Sequence, residues 1–178
     1  MGNIVLIGYS GSGKTVIGRN LARMLGFEFA DFDEMIKDRT GLLPPQLLKK
    51  YGVIRYCSEE KLLVNKLAAG ERQVVSLGGH TLLPPEQLQP LAAGGMVVLL
   101  AADPSVIHER LNRKETRRSL EKSKMDIDNI ETGIAAQAEK YGSIVHLSIN
   151  TSEIGVEEAA KQIAVEFEAK KAEYKAMS

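Results

Sequence analysis

The chain has 178 residues, 44% of them hydrophobic, and its 23 Lys+Arg are balanced by 23 Asp+Glu. That length predicts one domain with a core of its own, and a net charge of zero argues against a general nucleic-acid binder. No apolar run approaches the roughly 18–20 residues of a membrane span, and the lone cysteine, Cys57, fits a reducing cytoplasm.

In chain order, short apolar runs alternate with helix-length segments. The first run, Asn3–Gly8, has no basic leader before it and feeds a helix over Lys14–Leu25. A strand over Phe27–Asp31, a helix over Ser58–Ala69, a strand over Gln73–Leu77 and a helix over Pro85–Ala93 come next. Met96–Ala101 predicts a strand. Pro104–Leu111 predicts a helix, with Asp103 as N-cap and proline at the first position. Asp126–Tyr141, Ile144–Ile149 and Val156–Tyr174 complete the series as helix, strand and helix.

The strands are continuously apolar rather than alternating, which is the pattern of a parallel sheet covered on both faces. Their alternation with helices implies βαβ units and a doubly wound, three-layer α/β fold. Two stretches break the rhythm. Arg39–Gly52, with Gly-Leu-Leu-Pro-Pro before a short apolar helix, reads as an insertion. Arg110–Lys124, with seven Lys/Arg against two Glu, reads as a solvated flap.

The chemistry is concentrated after the first strand. Gly8-Tyr9-Ser10-Gly11-Ser12-Gly13-Lys14-Thr15 matches the phosphate-loop pattern G-x-x-x-x-G-K-[ST], between a strand and a helix as that motif requires. Gly8, Ser10, Gly11, Ser12 and Gly13 would turn successive N–H groups into one phosphate cradle, and the following helix adds its positive dipole end. Lys14 is expected on the β- and γ-phosphates and the Thr15 hydroxyl on Mg²⁺, so ATP or GTP binding follows.

Three further groups would stand at the same sheet edge. Asp31-Phe32-Asp33 ends the second strand. If that segment is extended, the two carboxylates project the same way, one able to hold Mg²⁺ through water and the other to accept a proton from an attacking hydroxyl. A helix N-cap at Asp33 beside a solvated charge is the bland alternative. Leu77-Gly78-Gly79-His80 ends the third strand, and either lets a ligand approach the backbone or makes a tight turn. In the flap, Arg118 or its neighbour Arg117 would neutralise charge on the transferred phosphoryl group.

Together these residues resemble the shikimate kinase family, small phosphate-loop kinases of the nucleoside-monophosphate-kinase-like group. Besides Gly8–Thr15 and Asp31-Phe32-Asp33, the resemblance rests on Arg39-Thr40-Gly41, Gly52 to Glu60, Gly78-Gly79-His80 and Arg118-Ser119-Leu120, and it covers nearly the whole chain. It implies five parallel strands in the order 2-3-1-4-5 and one kinase domain. The core would be 1–34, 68–109 and 142–178, the acceptor region 35–67 and the lid 110–124. It also implies ATP and Mg²⁺, with Asp33, Lys14 and Arg118 catalytic, Arg110 and Arg118 on the nucleotide, and Thr15 and Asp31 on the metal. The partner would be a small hydroxyl acceptor, shikimate at its 3-hydroxyl, bound by a monomer with neither membrane nor nucleic acid.

The departures fall on the acceptor side. The family's carboxylate-binding arginine in F-R-x-x-E aligns with Cys57, and a second, four residues before a tyrosine, aligns with Gln137. His80 stands at the third glycine of G-G-G, as an acceptor-site donor or a packed turn residue. Cys57 is either a space-filling helix residue or a reactive thiol, and Arg55 would point elsewhere on the helix. Neither Cys nor Gln supplies the guanidinium fork that grips a carboxylate. An altered, less acidic acceptor competes with shikimate. A catalytically silent nucleotide-binding module and a nucleoside-monophosphate kinase are the other readings. The acids of Glu28–Glu34 are expected together beside Mg²⁺.

Overall fold

In the computed structural model, residues 2–118 and 126–176 are described, and of residues 114–118, 174 and 175 only the backbone. The elements run β1 (Asn3–Ile7), α1 (Lys14–Leu25), β2 (Glu28–Asp31), α2 (Phe32–Thr40), α3 (Pro44–Ala68), β3 (Gln73–Ser76), α4 (Pro85–Ala93), β4 (Gly95–Ala101), α5 (Pro104–Arg118), α6 (Ile127–Tyr141), a 3₁₀ turn (Gly142–Ile144), β5 (Leu147–Asn150) and α7 (Val156–Ala176). The five strands form one parallel sheet in the order β2-β3-β1-β4-β5.

The period of two in β1 explains the layers. Val5 and Ile7 point to one face, where Val75, Leu77 and Val97 join Phe32, Ile36, Leu47, Tyr56, Leu63 and Leu88 from α2, α3 and α4. Ile4 and Leu6 point to the other, against Ile17 and Leu21 of α1 and Ala159, Ile163 and Phe167 of α7. With both faces covered, every residue of β1 is buried, which is why its sequence is apolar without alternation. A smaller cluster of Ala102, Ile107 and Ile130, flanked by Tyr9 and Leu111, packs α5 and α6 beside the phosphate loop.

Four expectations are corrected. Residues 32–40, not assigned as an element from the sequence, form α2, because Asp31 caps it: Asp31 Oδ1 accepts from the N–H groups of Asp33 (3.0 Å) and Glu34 (3.4 Å). Such a cap is worth about 1 kcal/mol. The helix expected from Ser58 begins at Pro44, where Leu43, extended before proline, donates its N–H to Gln46 Oε1 at 3.0 Å. Gly52, at φ 79° and ψ 176°, breaks that helix into 44–51 and 53–68, so the stretch read as an insertion is its first half. The helix expected to stop at Leu111 continues to Arg118, taking in half of the predicted flap. Finally, 142–144 make a 3₁₀ turn and the last strand starts only at Leu147.

Candidate active site

All five strands end on one edge, and β1, β2 and β3 deliver the site there. Gly8, Gly11 and Gly13 have φ of 147°, 88° and 99°, the left-handed values that close the phosphate loop around its own N–H groups. Ser12 is fully buried, and its Oγ has no hydrogen-bond partner. A buried hydroxyl left so inside a ring of N–H groups suits an anionic oxygen. Lys14 is nearly buried and donates from Nζ to Gly8 O at 2.6 Å and Tyr9 O at 3.0 Å, so its ammonium lies along the loop. Ser10 stands against Gly79, whose Cβ, if present, would lie 2.9–3.0 Å from Ser10 atoms. Gly79 therefore serves the packing of two loops.

The carboxylates divide their work. Asp31 Oδ2 accepts from Thr15 Oγ1 at 2.9 Å, while Oδ1 caps α2. A threonine hydroxyl and a carboxylate oxygen, both hard donors, fit Mg²⁺ completed by phosphate oxygens. Asp33 lies in the first turn of α2, not on an extended segment, so the equal projection of the pair is corrected, and the N-cap is Asp31 rather than Asp33. Asp33 Oδ1 is buried without a hydrogen bond against Gly78, where a Cβ would collide with it. Burial pushes the Asp33 carboxyl up from its ordinary 3.8, Asp31 pushes the same way, and Lys14 and His80 oppose them. The four acids do not gather: Glu28 is exposed at the start of β2, and Glu34 pairs with Arg19 at 2.8 Å.

Arg110 is not turned to open space. Its guanidinium donates to Gly11 O (3.3 Å), Thr151 Oγ1 (3.0 Å) and Thr151 O (2.6 Å). Thr151, almost fully buried after β5, donates in turn to Ser12 O at 2.9 Å. The two residues clamp the phosphate loop to α5 and β5. The side chains of Arg117 and Arg118 and all of 119–124 lie outside the described residues.

The acceptor side is built by α3, the loop after β3, and α6. Tyr56 is buried and donates to the backbone carbonyl of exposed His80 at 3.4 Å. Cys57 is half-buried against the α2–α3–α4 core, and burial, then Glu60, push its thiol up, which keeps it neutral. Arg55 and Arg39 both bind buried Glu59, at 2.6 and 3.0 Å, so Arg55 does point away. Gln137 is half-buried on α6.

Two residues escaped the sequence reading of this wall. Glu60, named there only within a motif, is fully buried; Oε2 accepts from Leu82 N at 3.1 Å. Oε1 makes no full hydrogen bond, although the Thr81 and Tyr56 hydroxyls stand close enough to oppose the rise in pKa that burial causes. Lys140 of α6 donates from Nζ to Leu82 O at 3.1 Å and faces Glu60 and Cys57. Its place three residues beyond Gln137, on the same helix face, was the available signal.

Comparison with known proteins decides what this edge belongs to. The shikimate kinase family model matches residues 10–168. The chain belongs to the shikimate kinase family. Shikimate kinase from Pelotomaculum thermopropionicum is 39% identical over 92% of this chain and 94% of that protein. Shikimate kinase from Thermus thermophilus is 36% identical over 90% of this chain and 86% of that protein. Among solved structures, shikimate kinase from Acinetobacter baumannii in complex with shikimate superposes with a TM-score of 0.83 at 27% identity, covering 96% of this chain and 95% of that one. As a member of the shikimate kinase family the chain is an ATP-binding small-molecule kinase, a phosphotransferase with an alcohol acceptor. Among the described residues no helix is long and apolar enough to cross a membrane.

Proposed function

We propose that the chain transfers the γ-phosphoryl group of ATP to the 3-hydroxyl of shikimate. The observation that carries this is the divided pair of carboxylates: Asp31 joined to Thr15 at 2.9 Å, and Asp33 buried against Gly78 with an unpartnered oxygen. The relatives that are shikimate kinases support the choice of acceptor, and the geometry is consistent with these roles.

In this reading the N–H groups of Gly8–Thr15 and the Ser12 hydroxyl hold the phosphates, and Lys14 moves from its carbonyls onto the γ-phosphoryl oxygens. Thr15 and Asp31 would hold Mg²⁺, which would supply positive charge to offset that of the phosphates. Asp33 orients the acceptor hydroxyl and takes its proton as the oxygen attacks phosphorus in line with the departing ADP oxygen. Its raised pKa brings a weak base closer to neutrality, where a proton acceptor works best. Arg110, with Thr151, keeps the loop in shape, and Arg118 on the lid neutralises the transferred group. The acceptor ring lies between Asp33, Gly78, Gly79, His80, Cys57 and Gln137.

A different acceptor of the same size is the second reading. It is favoured by Cys57, a neutral thiol where the family pattern has a guanidinium, and by Gln137. The test is ADP release with ATP and Mg²⁺ over a panel of shikimate, its methyl ester, quinate, gluconate and a nucleoside monophosphate. Shikimate as the best acceptor supports the proposal. Turnover with another member alone overturns it, and ATP binding without turnover of any would indicate a silent binding module.

A further inference from the structure

Shikimate is a carboxylate, so a pocket that holds it needs a cation, and among the described residues few of those nearby can serve. This inference rests on the acceptor assigned above. Lys14 lies along the phosphate loop. Arg39 and Arg55 are both committed to the buried Glu59 carboxylate. Lys61 is exposed on α3.

Lys140 is differently placed. It is half-buried on α6, anchored by one hydrogen bond to Leu82 O at 3.1 Å in the loop that carries Gly78 and His80. It faces Cys57 and fully buried Glu60, and among the described residues it forms no ion pair. An ammonium has three donors in rotatable directions, so one anchor on Leu82 leaves two for a ligand. Glu60, whose Oε1 lacks a hydrogen bond, is the acidic group beside Lys140 in this wall.

We propose that Lys140 is the cation that receives the acceptor's carboxylate, taking over from α6 the role that Cys57 and Gln137 cannot fill. Because a lysine is a point charge without the planar fork, it selects for charge more than for carboxylate geometry.

The test is calorimetric titration of shikimate and its methyl ester into the full chain, as wild type, Lys140→Met, Lys140→Arg, Lys140→Gln and Lys61→Met, with ATP affinity measured on each. Wild type is expected to prefer the acid over the ester. Lys140→Met should bind both alike, losing about tenfold or more for shikimate while ATP binds as before. Lys140→Arg should keep the preference, Lys61→Met should match wild type, and Lys140→Gln serves if the methionine variant does not fold. Unchanged shikimate affinity in Lys140→Met, an equal loss for acid and ester, no acid preference in wild type, or equal damage in Lys61→Met overturns the assignment. Failure of wild type to bind shikimate at all strikes the acceptor reading, and Lys140 with it.

Discussion

Thr15 Oγ1 donates to Asp31 Oδ2 at 2.9 Å, and the other oxygen of the same carboxylate caps α2. One side chain thus joins the helix after the phosphate loop to the acceptor-side helix. Asparagine keeps a capping oxygen but not the charge, so the two roles can be separated. In Asp31→Asn the helix should hold to within about 1 kcal/mol. The Mg²⁺ concentration for half-maximal turnover should rise about tenfold or more. A Mg²⁺ titration of ADP release checks it, and an unchanged requirement contradicts the metal role.

Asp33 should leave a mark on the pH profile. Its carboxyl is pushed above its ordinary 3.8 chiefly by burial, and only the deprotonated form takes a proton. As pH falls through the raised pKa, kcat should therefore fall, with the break above the ordinary carboxylate value. Asp33→Asn should lose about 10²–10⁴ in kcat and keep ATP affinity. Near-normal turnover in that variant would remove the proton acceptor from the account.

Gly79 tests the contact between two loops. A methyl there meets Ser10 atoms at 2.9–3.0 Å, whereas at Gly142, with φ −53° and ψ −35°, it meets nothing within 4 Å. Gly79→Ala should shift the phosphate loop and weaken ATP binding by about 1–3 kcal/mol, while Gly142→Ala leaves ATP binding unchanged. Calorimetric titration of ATP compares the two.

Much of this was legible in the sequence, for definite reasons. The strand–loop–helix at Gly8–Thr15 is local, and the apolar strands carry their own parallel-sheet signature. The sheet order came from the family resemblance and is the observed one. Helix α2 was missed because its cap, Asp31, is also the last residue of β2. Helix α3 was cut short because Gly52 and two prolines read as a loop. Arg110 was placed on the nucleotide, and nothing in a flap composition reveals that Thr151, 41 residues on, accepts from it. Lys140 is visible only once α6 and the loop after β3 are brought together, a long-range contact with no local pattern.

Glu60 predicts a pH effect on stability. Its folded pKa is raised above the ordinary 4.5 by burial, so the native state binds more protons than the unfolded state between the two values. Stability from this group is present below about 4.5 and is lost as pH rises through the folded pKa. Urea midpoints across acid to neutral pH should fall for wild type relative to Glu60→Gln. Parallel curves for the two would mean Lys140 and the nearby hydroxyls already cancel the cost.

Phosphoryl transfer to shikimate is tested by incubating γ-labelled ATP with Mg²⁺, shikimate and the full chain and identifying the products by mass. Label is expected on shikimate with wild type and almost none with Lys14→Met. ATP bound tightly while no label reaches shikimate, with label appearing instead on another hydroxyl compound, would contradict it.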